Sequence, residues 1–256
     1  MVAATIIWKG WIVQASAETT PLMASPSRGP LRTPVLFGLA AVTGIVDAVC
    51  YLAFGHVFTA NMTGNVVLLG FAVAGVESLS VNGSVTALGA FLIGAVLGVR
   101  LARSMNPFMH RWPAAAFGSE AALLFMSATV AASVSDGAAA PSTAVYLVIV
   151  LTGLAMGMRN ATIRRLGERE VNTTVLTMTL TGIAADSVFA GGSNRGVLRR
   201  VGFVMSVLAG AAAGALLLRH SAALPLGIAG AASTVCGVAA YLDMQPPSRL
   251  PEGTRP

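Results

Sequence analysis

Charge is scarce in this sequence: 10% of its 256 residues are Asp, Glu, Lys or Arg, against about 25% in an ordinary soluble domain. Aromatics are scarce too, at 6%, and there are only two cysteines, Cys50 and Cys236. Each cysteine falls inside an apolar run, which excludes a disulfide framework and suggests packing residues. No G-x-x-x-x-G-K-[ST] loop, zinc signature or nucleophile elbow is present, so no cofactor or metal site is expected and ATP coupling would need a partner. Lysine is almost absent. The net charge of +6 rests on arginines placed between apolar runs, without one basic face interleaved with aromatics. This pattern argues for membrane orientation and against nucleic acid.

What the chain has in quantity is apolar sequence, 55% of its residues. Runs near the roughly 20 residues needed to cross 30 Å of hydrocarbon occur at 34–54, 84–103, 114–134, 143–162, 201–218 and 222–242. Two further segments, 57–76 and 171–190, are polar in their first halves and apolar in their second. If both cross fully, most arginines fall outside the membrane, against the positive-inside rule. If both enter and return on one side, nearly all fall inside and only Arg219 is left outside. The fold class expected is therefore an all-α membrane protein with about six transmembrane helices and two re-entrant segments. Both termini are then cytoplasmic, in the inner membrane. Residues 1–33 read as a disordered lead-in whose true start could be Met23, and 243–256 as a disordered tail.

A repeat is visible in the transmembrane region, 34–242. "GIVDA" at 44–48 matches "GMRNA" at 157–161, and "VFTANMT" at 57–63 matches "VNTTVLT" at 171–177. Halves at 34–140 and 141–242, each with three crossings, would lie in opposite orientations, an inverted repeat.

The motif "FTANMTGN" at 58–65 sets polar residues inside an oily chain. Non-helical backbone at membrane depth persists only where protein or a water-filled cavity satisfies it. A half-helix beginning near Asn61 or Thr173 would be capped by that side chain and would aim its positive end into the membrane. Candidate pathway residues are Asp47, Asn61, Thr63 and Asn65 on one side, and Asn160, Thr173, Thr177 and Thr181 on the other. Small and hydroxylated residues are also ordinary packing surfaces between membrane helices, so interhelical glue is the competing reading. Ionisable residues at depth are costly, and an ion pair between Asp47 and Arg159 near the repeat axis is expected.

At "GIVDAVCYLAFGHVFTANMTGNVVLLG" (44–70) and "GLAMGMRNATIRRLGEREVNTTVLTMTLTGIAAD" (153–186) the chain resembles the YoaK-like family. These are bacterial multi-pass membrane proteins, a domain-of-unknown-function family. The resemblance covers about residues 34–242 and implies no established activity; Arg159 stands where the family more often shows glutamine. The function expected from the residues is a transporter or channel for a small neutral or singly charged solute. The alternatives are a membrane scaffold or sensor without a pathway, and an intramembrane hydrolase using Asp47 and Asp186. The expected partners are the lipid bilayer and a small-molecule solute, with a homo-oligomer left open.

Overall fold

The computed structural model describes residues 31, 33–105, 111–133, 143–167, 174–194 and 196–244. Its helices are α1 (Thr33–Ala53), α2 (Met62–Val73), α3 (Val81–Ser104), α4 (Trp112–Ala131), α5 (Thr143–Arg165), α6 (Thr174–Ala185), α7 (Val197–Leu217) and α8 (Ala223–Asp243). One short 3-10 turn, Val188–Ala190, follows α6. There is no strand among the described residues. Among the described residues six helices are long and apolar enough to cross a membrane, and the protein is a multi-pass membrane protein. With 12 residues each, α2 and α6 reach only about 18 Å at 1.5 Å per residue, well short of the hydrocarbon thickness. The expected lead-in and tail lie outside the described residues except at their inner edges, where Thr33 already begins α1 and Asp243 ends α8; the division near 140 lies outside them.

Contacts between helices fix their relative directions. Gly94 and Gly98 of α3 meet the carbonyls of Leu154 and Met158 of α5, so the numbering rises together and the two helices are parallel. In the same way Gly210 and Gly214 of α7 meet the carbonyls of Ala41 and Ile45, making α1 and α7 parallel. Between α1 and α5 the order reverses. Arg159 bonds the Leu39 carbonyl and Thr43, whereas Thr152 meets Cys50. Because α1 runs against α5 and α3 runs with it, α1 and α3 are antiparallel and begin and end one excursion at the same face. The segment carrying α2 is therefore re-entrant, and the same reasoning makes α6 re-entrant from the opposite face.

These contacts obey the repeat residue by residue. A side chain on Gly44 would strike the Val207 carbonyl and the Ala211 amide; one on Gly157 would strike the Phe91 carbonyl and the Ala95 amide. Gly214 sits on the Ile45 carbonyl and Ala48 Cβ, and Gly98 on their equivalents, the Met158 carbonyl and Ala161 Cβ. On the axis α4 crosses α8 antiparallel, with Phe117 against Gly237 and Phe125 against Gly230. The extensive interfaces α1–α7, α3–α5, α4–α8, α4–α5 and α1–α8 all join one half to the other. Val42, Val46, Val49, Leu124, Ile149, Met156 and Leu226 fill the main core between them.

One face gathers the outer ends of α1 and α8. Arg100, Arg103, Arg111, Arg164, Arg165, Arg199 and Arg200 stand at helix ends on that face. Arg219, just past α7, is the one described arginine at the other face.

Candidate functional site

The polar motif is explained first by the backbone it holds. After Ala53 the chain reverses through Gly55 and His56, both at positive φ (86° and 55°), and returns beside α1 as irregular residues 57–61. Asp47 lies six residues before the end of α1, about 9 Å along its axis. Its Oδ1 accepts the amides of Thr59 and Ala60, each at 2.8 Å. Asn65 is fully buried. Its Oδ1 accepts the Phe58 amide at 2.8 Å and its Nδ2 donates to the Phe58 carbonyl. Asn61 caps α2 by accepting the Gly64 amide at 3.3 Å. Three side chains thus satisfy backbone groups that the bilayer would leave unpaired.

The two asparagines should differ when replaced. Asn65→Leu orphans a buried amide and a carbonyl, with a loss of about 1–3 kcal/mol for each group. Asn61→Ala removes a cap worth about 1 kcal/mol. Thermal unfolding of the detergent-solubilised protein should show the Asn65 variant clearly weaker; equal melting would contradict this account of the loop.

Between α1 and α7 lies a cleft of about 400 Å³. Asp47, Tyr51, Phe58 and Asn61 border it from the first half, with Val207 and Ala211 of α7 opposite. Leu176, in the first turn of α6, borders it too. The N-terminal ends of both re-entrant helices therefore meet one cleft. Its walls are otherwise small and apolar, because the glycine and alanine residues that let α1 and α7 approach also shape the space.

The other expected pathway residues are dispersed. Thr63, Thr177 and Thr181 are exposed, with the Thr181 hydroxyl donating to the Thr177 carbonyl at 2.9 Å. Asn160 is half-buried and donates to the Met156 carbonyl of its own helix at 2.9 Å. Thr173 lies outside the described residues. In the register that aligns 57–63 with 171–177, Asn65 falls on Thr179, which is buried, 3% exposed.

The expected Asp47–Arg159 pair does not form. Arg159 lies level with Leu39 and Thr43, one to two turns from Asp47, whose carboxylate is occupied by the loop amides. The guanidinium instead forms a two-bond ion pair with Glu120 of α4, Nε to Oε2 at 3.0 Å and Nη2 to Oε1. Its Nη1 donates to the Leu39 carbonyl and Thr43 Oγ1, both at 2.7 Å, and Ser233 of α8 donates to Glu120 at 2.6 Å. Four helices are joined by this buried network. Glu120 stands eight residues inside α4. No motif around Glu120 marks it as the partner, because the pairing depends on how α4 packs against α1, α5 and α8. Nor are Asp47 and Asp186 brought together, since Asp186 pairs with Arg200 beyond the end of α6, at the opposite face from the loop that Asp47 holds.

Comparison with known proteins finds a transmembrane relative and a family. The chain is 36% identical over 158 residues to the UPF0700 transmembrane protein YoaK of Bacillus subtilis (strain 168), covering 60% of this chain and 67% of that protein. No solved structure matches. Residues 35–240, six crossings and both re-entrant segments together, match the family described as "Protein of unknown function (DUF1275)", and the chain belongs to that family.

Proposed function

We propose that the protein is a small transporter or channel of the bacterial inner membrane, passing a small neutral or singly charged solute between its two inverted halves. The observation that carries this reading is the convergence of both re-entrant helix N-termini on one cleft. Secondary transporters use this plan, with broken helices meeting at a site between inverted repeats. The arginine-rich face, with the outer ends of α1 and α8, is the cytoplasmic one by the positive-inside rule. The hydrolase alternative lacks its carboxylate pair, because Asp47 and Asp186 are held apart by different partners.

Cysteine accessibility tests the path. In a background with buried Cys50 and Cys236 replaced by alanine, single cysteines are placed at Ala48, Leu176 and Ala211 in the cleft, and at exposed Leu208 of α7. A small membrane-impermeant thiol reagent applied to sealed vesicles of each orientation should label the cleft positions and leave the lipid-facing Leu208 position unlabelled. A folded protein with all three cleft positions inert would have no path, and the scaffold or sensor reading would take its place.

A further inference from the structure

The geometry points to a small organic monocation of the alkylammonium type as the solute class of the cleft, an inference that rests on the transport reading above. Asp47 is the one acidic side chain lining the cleft, and among the described residues no basic side chain lines it. Arg159, the buried arginine on the neighbouring helix, is committed to Glu120. The Thr59 and Ala60 amides share Asp47 Oδ1, and the α2 N-terminus contributes only about half a positive charge. A net attraction for a cation remains.

Beside the carboxylate stand two aromatic rings. Tyr51 and Phe58 are stacked, with centroids 4.9 Å apart and an interplanar angle of 14°, and both border the cleft. Ring faces attract ammonium groups within about 6 Å of their centroids, more strongly where water is excluded. The remaining walls, with Ala48, Val207 and Ala211, present methyl groups that suit alkyl substituents. Other classes fit less well. A bare metal ion would require several oxygen ligands, an anion would face Asp47, and a sugar would find few hydrogen-bonding partners. The volume of about 400 Å³ falls in the range of small-ligand sites, about 300–1,000 Å³.

The test uses full-length protein in liposomes with Cys50→Ala, Cys236→Ala and Ala211→Cys, and follows the rate of thiol labelling. Tetramethylammonium and methylammonium should each slow labelling several-fold, whereas sodium at equal ionic strength and neutral tert-butanol should leave the rate unchanged. Asp47→Asn keeps an oxygen for the Thr59 and Ala60 amides and removes the charge, so it should abolish protection. Tyr51→Leu, which keeps an apolar side chain but loses the ring face, should weaken it. Labelling that no organic cation slows, or that tert-butanol slows equally, overturns the cation assignment and leaves the path standing. Absence of labelling at Ala211→Cys in folded protein overturns both.

Discussion

Glu120→Ala will destabilise the folded protein by about 3–5 kcal/mol, the range for removing one partner of a buried ion pair. The reason lies in what is left behind. Arg159 is 3% exposed, and without Glu120 it keeps only the Leu39 carbonyl and Thr43 hydroxyl as partners. An uncompensated guanidinium inside a helix bundle is among the costliest groups a membrane protein can carry. Arg159→Met should be nearly as harmful, since it leaves the carboxylate with Ser233 alone. The double variant Glu120→Leu with Arg159→Met should recover most of the loss, because well-packed apolar replacements of a buried pair are often neutral. Heating detergent-solubilised protein and scoring the monodisperse fraction reads all three. Single variants as stable as the parent would show that the network contributes little.

Gly44→Ala and Gly157→Ala will be similarly severe, and alike. In each case the new Cβ would lie within 2.2 Å of a backbone oxygen on the partner helix, 2.2 Å from Val207 and 2.1 Å from Phe91. Backbone cannot rotate aside as a side chain can, so the helices must separate along their contact. Overpacking usually costs about 1–3 kcal/mol, and these sites should fall at or beyond the upper end. Gly89→Ala is the control: it lies within α3 with open space around it and should gain up to about 1 kcal/mol from helix propensity. The comparison is made by melting and by yield of folded protein. If Gly44→Ala melts with Gly89→Ala, the close crossing of α1 and α7 is wrong.

The six long helices were legible because membrane spans announce themselves by length and apolarity, and segments such as 34–54 and 222–242 differ from α1 and α8 by about one residue. The re-entrant segments were legible from the arginines, which obey the positive-inside rule only if 57–76 and 171–190 fail to cross. What could not be read was the division of labour among polar side chains. Asp47 and Asn65 look equally suited to a solute and to a backbone amide, and only the path of residues 57–61 shows that loop amides take them. The choice between Asp47 and Glu120 as the partner of Arg159 turns on the antiparallel register of α1 and α5, which no local motif encodes. Asn61 could be read as a cap because capping depends on sequence neighbours alone.

Interlocking of the halves also has a consequence for biogenesis. The main partner of α1 is α7, and the main partner of α3 is α5. During synthesis the first four helices therefore enter the bilayer before either close glycine crossing can form. Their small-residue faces must wait in lipid until more than half of the chain has been inserted. The first half is thus a nascent intermediate waiting for its complement, and the ribosome's progress through α5 and then α7 sets when each crossing can close.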